Sequence, residues 1–128
     1  MAEHLARELS DGDDLTFSSA GTATHARIEP SAGTVEVMAE IGVGVGEHRS
    51  QSVWDVGEWA DVIYALSREH RDAMVERWPD RAAEVHLLRP DGASIDDPYG
   101  LELDEYRRAR DEIEAAVRAR GETGWAPT

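Results

Sequence analysis

The chain has 128 residues and a formal net charge of −14 at pH 7, and its length fits one globular domain with a single core. It contains no cysteine, which excludes disulfides, thiolate metal sites and cysteine nucleophiles within these residues. Because so acidic a chain repels polyanions, neither nucleic acid nor an anionic membrane is an expected partner.

The charged residues also carry information about the host. All 13 side chains counted as lysine or arginine are arginine, and neither lysine nor asparagine occurs. Codons for both missing residues are rich in A, so their joint absence indicates a GC-rich genome, and the acidic excess suits a salt-tolerant host. At low salt we expect the carboxylates to repel one another and to weaken the folded state.

The opening residues form a charged amphipathic pattern that differs from a signal peptide. No apolar stretch approaches the ~18 residues that a membrane span needs. The sequence therefore predicts a cytoplasmic location. Apolar side chains recur at helical spacing over residues 2–9, which predicts a first helix.

Three short segments follow the first helix. The Asp-rich stretch 11–14 is too short for a calcium loop and is typical of a solvated turn. Residues 15–19 predict a short strand, and residues 20–22 predict a turn after it.

The pattern over residues 31–41 is ambiguous. Val35 and Val37 alternate as they would in a strand. Val35, Met38 and Ile41 instead recur at helical spacing. Gly42 could end such a helix. We favour the helix.

The second half of the chain predicts a strand, a helix and another strand. Residues 61–66 form a continuous apolar run, as expected for a parallel strand covered on both faces. Ser67 can cap the helix that follows, and Trp78-Pro79 ends it, because proline cannot continue the hydrogen-bond ladder. Residues 85–88 predict the next buried strand.

A final amphipathic helix is predicted over residues 102–120. Its polar face offers ion pairs at helical spacing, each worth a few tenths of a kcal/mol. The expected pairs are Asp104–Arg108, Arg108–Glu112 and Glu114–Arg118. Strands and helices in alternation predict one α/β domain over residues 1–128, with an open parallel sheet and helices on both faces.

Ligands of such sheets bind at the carboxyl ends of the strands, and Ser19 and Asp97 both follow a predicted strand. Asp97 precedes Pro98 on the loop before the final helix. A carboxylate there can act as a general acid, although an aspartate before proline is more often a turn residue.

Other conspicuous residues have structural interpretations. His4, His25, His70 and His86 are interpreted as ordinary surface or strand histidines. The tryptophans Trp54, Trp59 and Trp78 are expected to pack in or near the core. The glycines of residues 42–46 lack the Lys-Ser/Thr ending of a phosphate-binding loop and predict a flexible connection. No metal site and no cofactor are expected.

Several short motifs occur in a characteristic order. They are Ser18-Ser19-Ala20-Gly21-Thr22, Gly46-Glu47-His48-Arg49-Ser50, Ala60-Asp61-Val62-Ile63, Arg68-Glu69-His70-Arg71 and Asp97-Pro98-Tyr99-Gly100. In these motifs the chain resembles the low-molecular-weight protein tyrosine phosphatases, a family shared with bacterial arsenate reductases. The resemblance covers nearly the whole chain. Its most specific part is Asp97-Pro98-Tyr99-Gly100 followed by Glu105-Tyr106-Arg107-Arg108 and Asp111-Glu112-Ile113.

The resemblance implies a nucleophile loop upstream of the first residue. In the family, a central first strand leads into Cys, five residues and Arg, very often followed by Met-Ala-Glu. This chain begins with Met1-Ala2-Glu3. We therefore expect that the domain is incomplete at its N-terminus, without the first strand and the phosphate loop.

The resemblance also implies roles for four residues. Asp97 matches the general acid and base, Tyr99 matches an aromatic that lines the substrate entrance, and Ser19 and His48 match positions that brace the phosphate loop. The implied substrate is a phosphorylated protein or a small aryl phosphate, hydrolysed through a phosphocysteine. Reduction of arsenate by a thiol cascade would need further cysteines.

The alternative is a catalytically inactive phosphatase-like domain with a binding or regulatory role. The 128 residues alone are predicted to be inactive and poorly stable, because they contain no thiol and would leave a gap in the sheet. The oligomeric state stays open.

Overall fold

The computed structural model describes residues 1–10, 15–22 and 28–125. The predicted turn at 11–14 and His25 lie outside these ranges. The elements, in chain order, are α1 (Ala2–Leu9), α2 (Ala32–Ala39), α3 (Val53–Val56), β1 (Ile63–Ala65), α4 (Arg68–Arg77), β2 (Val85–Leu87) and α5 (Leu103–Glu122). Two 3-10 helices, Gly57–Trp59 and Pro79–Glu84, follow α3 and α4. Within the described ranges, no helix combines the length and apolarity that a membrane crossing requires.

The helix interpretation of residues 31–41 is confirmed by α2. Its N-cap is Ser31, whose Oγ accepts a hydrogen bond from the backbone N–H of Thr34. At the other end, the N–H of Val43 donates to the carbonyl of Met38 at 2.9 Å. Gly42 has a φ of +79°, which glycine adopts without strain. The helix ends at Ala39, slightly earlier than predicted, and the chain turns away from it at the predicted glycine.

The strand–helix–strand prediction is confirmed as well. β1 and β2 pair in parallel, with Ile63 opposite Val85, and α4 forms the crossover between them. Ser67 Oγ accepts the N–H of His70 at 3.2 Å, as a helix N-cap should. The helix stops at Arg77, two residues before Pro79.

The prediction of a strand over residues 15–19 is wrong. None of these residues belongs to a strand, and Gly21, predicted to lie in a turn, forms an isolated parallel bridge with Ser52. Side chains, rather than a neighbouring strand, donate hydrogen bonds to the carbonyl groups of this segment. Arg7 donates to the carbonyl of Phe17 at 3.0 Å, and Gln51 Nε2 donates to that of Ser19 at 2.9 Å. The sheet of the described residues accordingly has two strands.

The ion pairs on α5 agree in part with the prediction. Arg108–Glu112 and Glu114–Arg118 are present, at 2.8 Å and 2.9 Å. Asp104 instead pairs with Arg107 at 2.9 Å. Both Arg107 and Arg110 also reach Glu40 at the end of α2, at 2.7 Å and 2.6 Å, so these charges link two helices.

Two hydrophobic clusters lie on opposite faces of the sheet. Tyr64 and Leu66 pack against one cluster, whereas Ile63 and Ala65 belong to the other, as the alternation of side chains along a strand requires. The α5 cluster comprises Leu5, Ala6, Val37, Met38, Val45, Leu88, Ile95, Tyr106, Ala109, Ile113, Ala116, Val117 and Trp125. The α4 cluster comprises Val53, Ala65, Met74, Trp78 and Val85. Trp59, predicted to pack in or near the core, is 55% exposed.

Trp125 joins the end of α5 to the start of the chain. Its indole N–H donates to Ser10 Oγ at 3.0 Å, and its ring contacts those of Phe17 and Tyr64. The Tyr64 hydroxyl donates to the Trp125 carbonyl. Trp125 has a φ of +68°, a left-handed conformation that costs free energy in a residue other than glycine. These contacts hold it there.

Candidate functional site

The loop that carries Asp97 is fixed to the carboxyl end of β1. The backbone N–H of Ile95 donates to the carbonyl of Leu66 at 2.8 Å, and the Ile95 side chain is buried. One residue earlier, Ser94 Oγ accepts the N–H of Arg68, the first residue of α4. Because Asp97 follows Ile95 by two residues, it lies near the sheet edge where ligands of parallel α/β proteins bind.

Asp97 begins a tight turn. Its Oδ1 accepts the N–H of Tyr99 at 3.0 Å, and the N–H of Leu101 donates to the carbonyl of Pro98 at 2.9 Å. Gly100 has a φ of +81°, the positive value that the third position of a type II turn needs. Pro98 is buried, whereas Asp97 is exposed and Tyr99 is 77% exposed. The turn thus presents a carboxylate and a phenol ring to solvent.

A second polar group forms around Glu3, whose side chain is buried on α1. Ser19 Oγ donates to Glu3 Oε1 at 2.8 Å, and Arg7 forms an ion pair with Oε2 at 2.8 Å. His4 and His48 lie beside this carboxylate. One donor atom from each of Glu3, His4 and His48 lies within 4.8 Å of the other two, and we call these three residues the Glu3 cluster.

The two imidazoles of the Glu3 cluster contact each other edge to face. Their ring centres are 5.2 Å apart, with an angle of 78° between the planes. Burial lowers the pKa of both histidines below its ordinary value, and the nearby Glu3 carboxylate opposes that shift only in part. Burial therefore favours the neutral form of both rings, in which each carries a nitrogen lone pair.

The Glu3 cluster lines an open cleft of about 360 Å³. Arg7 and Arg49 also line it, and Glu3 and Glu47 balance these two positive charges. Arg49 is partly occupied elsewhere, since its Nη1 donates to the carbonyls of Gly46 and His48 at 2.9 Å and 2.7 Å. These bonds fix the loop from which His48 reaches the cleft.

The four residues singled out from the sequence fall into two groups. Ser19 and His48 both adjoin Glu3, whereas Asp97 and Tyr99 lie on the turn after β2. Within the described part of the chain, no hydrogen bond, ion pair or ring contact joins the turn to the Glu3 cluster.

Sequence reasoning missed Glu3 and His4 as site residues. Both lie on α1 in what we interpreted as a charged amphipathic helix. The available signal was the position of Glu3, which is three residues before Ala6 and so lies beside the apolar face of the helix.

A family model matches almost the whole chain. Residues 1–122 match the family described as low molecular weight phosphotyrosine protein phosphatase. Two curated relatives support the same grouping. A protein-arginine-phosphatase of Geobacillus stearothermophilus is 32% identical over 80% of this chain and 72% of its own length. An arsenate reductase of Brevibacillus brevis is 34% identical over 88% of this chain and 78% of its own length.

Solved structures share the fold. The low molecular weight protein tyrosine phosphatase of T. tengcongensis superposes with a TM-score of 0.88 at 25% identity. The superposition covers 95% of this chain and 88% of that one. The α/β architecture with a parallel sheet and flanking helices is therefore the one that this group of phosphatases uses.

Proposed function

The chain belongs to the low molecular weight phosphotyrosine protein phosphatase family. We propose that it supplies the general acid of a phosphatase that hydrolyses phosphotyrosine or another aryl phosphate. The observation that carries the proposal is the turn in which Asp97 and Tyr99 are both exposed. The 128 residues contain no cysteine, so the nucleophilic thiolate must come from residues outside them.

Asp97 serves as the general acid in the first step. The thiolate attacks phosphorus, the bond from phosphorus to the aryl oxygen breaks, and Asp97 donates its proton to that oxygen. An aryloxide leaves far more readily when it is protonated, and a positioned acid contributes roughly 10²–10⁴-fold to the rate. The hydrogen bond from Tyr99 N–H to Asp97 Oδ1 supports this role, because it orients the carboxyl group.

The same carboxylate serves as the base in the second step. It removes a proton from water, the water oxygen attacks the phosphorus of the phosphocysteine, and the sulfur leaves as thiolate. The products are inorganic phosphate and a reprotonated Asp97, which is ready for the next turnover. A residue that is exposed to solvent suits this exchange of protons with water.

Tyr99 provides the contact with the substrate ring. It is 77% exposed and two residues from the acid, so an aromatic leaving group could stack on it while its oxygen faces Asp97. Ser19 and His48 brace the loop that holds the thiolate. Their common position beside Glu3 supports this role. We expect the protein to act in the cytoplasm on a phosphorylated protein or a small aryl phosphate.

Phosphoarginine is the second candidate substrate. A relative named protein-arginine-phosphatase is 32% identical, so the match in sequence does not favour tyrosine. Arsenate reduction is disfavoured, although some relatives bear that name. A thiol cascade needs additional cysteines, and residues 1–128 contain none. An inactive domain is the remaining alternative.

The test uses a reading frame extended upstream of Met1 to include a Cys, five residues and Arg. We expect this protein to hydrolyse p-nitrophenyl phosphate and the 128-residue chain not to. Asp97→Ala should lower kcat by about 10²-fold or more. Asp96→Ala is the matched control, since the neighbouring carboxylate is also exposed, and it should leave kcat unchanged.

Three results would contradict the proposal. A stop codon within about 20 codons upstream would favour the inactive domain. Turnover by the 128-residue chain would show that another group attacks phosphorus. Equal kcat for Asp97→Ala and the unmodified protein would reject Asp97 as the acid. Peptides that carry phosphotyrosine or phosphoarginine, compared by kcat/KM, then decide between the two substrates.

A further inference from the structure

We infer that Arg68 is a positioning residue for Asp97, a role that rests on the proposed function of Asp97 as the general acid. Arg68 is the first residue of α4 and lies shortly after the carboxyl end of β1. The loop of residues 89–97 passes this point on its way from β2 to the Asp97 turn. Arg68 attaches that loop to the start of α4, and so helps to fix the acid relative to the sheet edge.

The side chain of Arg68 holds the first part of the loop. Its Nε donates to the carbonyl of Gly92 at 3.0 Å. Gly92 closes a tight turn, since its N–H donates to the carbonyl of Arg89 at 3.1 Å and its φ is +80°. Among the described residues, no carboxylate forms an ion pair with Arg68, so no acidic side chain competes with the Gly92 carbonyl for its guanidinium.

The backbone of Arg68 holds the next part of the loop. Ser94 Oγ accepts the Arg68 N–H at 3.0 Å, and this N–H is one of the four at the start of a helix that have no partner within it. The Ile95 N–H then donates to the carbonyl of Leu66 at 2.8 Å. In the described part of the chain, residues 92–96 form three hydrogen bonds with the end of β1 and the start of α4, and Arg68 makes two of them. We call these two bonds the Arg68 clasp.

The Arg68 clasp and α5 hold the Asp97 turn from its two ends. The recorded hydrogen bond of the Asp97 side chain is with Tyr99 inside the turn, so it orients the carboxyl group without fixing the turn as a whole. After the turn, α5 begins at Leu103. A general acid must lie within hydrogen-bond reach of the leaving oxygen, and a misplacement of 1 Å can cost about 10²-fold in rate. Release of the clasp should therefore weaken proton donation by Asp97.

A positioning role predicts a loss of activity that depends on the leaving group. Phenol leaves readily only when it is protonated, whereas 2,4-dinitrophenol leaves as the anion without an acid. The ratio kcat/KM covers the steps up to the departure of the aryl oxygen, so it reports the proton transfer from Asp97. Loss of a merely structural contact would lower kcat/KM for both substrates alike.

The experiment uses the protein read from the frame extended upstream of Met1, with phenyl phosphate and 2,4-dinitrophenyl phosphate as substrates. We expect Arg68→Ala to lower kcat/KM for phenyl phosphate by roughly 3–10-fold, as loss of one hydrogen bond allows, and to leave that for 2,4-dinitrophenyl phosphate nearly unchanged. Arg68→Lys should recover part of the loss, because its amine can also donate to the Gly92 carbonyl. Arg71→Ala is the matched control, since it removes the same charge from the same helix and its guanidinium binds the adjacent Asp72. It should leave both values unchanged.

A double variant shows whether Arg68 acts through the acid. In the Asp97→Ala background, Arg68→Ala should have no further effect on phenyl phosphate, because no proton donor is left to position. If circular dichroism shows that Arg68→Ala is unfolded, Ser94→Ala replaces it. That variant removes the other bond of the Arg68 clasp and should show the same dependence on the leaving group.

The outcomes separate this inference from the proposed function. If the loss depends on the leaving group for Asp97→Ala but not for Arg68→Ala, Asp97 stays the acid and Arg68 does not position it. An equal loss for Arg71→Ala, or additive losses in the double variant, would also overturn the role of Arg68. If Asp97→Ala shows no such dependence, or if no extended protein hydrolyses either substrate, the proposed function and the role of Arg68 are both rejected.

Discussion

The α5 cluster and the α4 cluster differ in the number of buried residues that they contain. Helices α1, α2 and α5 supply most of the α5 cluster, which contains the side chains of Val37 and Met38, both 0% exposed. The α4 cluster lies beneath the two strands and contains fewer buried residues. A cavity costs more where the surrounding side chains cannot close it. We therefore expect the larger α5 cluster to be more sensitive to truncation of a buried side chain than the α4 cluster.

The sharpest test of that difference uses one substitution at two sites. Met38→Ala should lower the free energy of unfolding by an amount near the top of the range of about 2–5 kcal/mol for buried methionines. Met74→Ala should fall near the bottom of that range, because Met74 is 4% exposed and the α4 cluster has fewer buried residues to hold a cavity open. Urea denaturation of both variants measures the two values. An equal or larger loss for Met74→Ala would show that cluster size does not set the sensitivity.

Overpacking provides the next largest effect. A Cβ at Gly33 would lie 2.7 Å from the ring of Tyr106, and a Cβ at Gly57 would lie 2.7 Å from Cη2 of Trp78. We expect Gly33→Ala and Gly57→Ala each to destabilise the fold by about 1–3 kcal/mol. Thermal denaturation tests this, with Gly44→Ala as the control, because a Cβ there meets nothing within 4 Å.

Trp78→Phe should have a small effect in spite of the burial of Trp78. Its indole N–H finds no hydrogen-bond partner among the described residues, and a buried unpaired donor costs about 1–3 kcal/mol. Loss of this donor offsets part of the lost ring area, so we expect a net change below about 1.5 kcal/mol. The phenyl ring lacks Cη2, so Trp78→Phe should also reduce the cost of Gly57→Ala. If the two substitutions change the free energy of unfolding additively in the double variant, a Cβ at position 57 does not contact the Trp78 ring.

The smallest effect concerns the charges between α2 and α5. Hydrogen bonds from Arg107 and Arg110 lower the pKa of Glu40 from 4.5 to about 2. A lowered pKa stabilises the fold at pH values above 4.5, and this contribution disappears as the pH falls through about 2. The melting temperatures of the unmodified protein and Glu40→Gln should therefore differ at neutral pH and converge in acid. A constant difference would exclude the proton linkage.

Local signals accounted for most of the helices. α2 and α4 have serine caps and Gly42 follows the end of α2, and these features depend on residues within a few positions of one another. The strand predicted at 15–19 failed for the opposite reason. A strand needs a neighbour to pair with, and no residue of that segment reveals in the sequence whether such a neighbour is present.

The same contrast between local and distant signals applies to the candidate site. The exposed Asp97 turn was predictable, since Pro98 and Gly100 fix its backbone within four residues. The Glu3 cluster was not, because its side chains come from α1 and from a loop far along the chain. Only the resemblance to a family pointed to His48, and nothing in the sequence pointed to His4.

Trp125 has a consequence for how the chain can evolve. Its indole contacts Ser10, Phe17 and Tyr64, which lie in three separate stretches of sequence. A change at one of these positions alters the space and the polar partners available to the other two. We expect substitutions at these four residues to be coupled in evolution, so that a change at one of them is tolerated only when the other three already accommodate it.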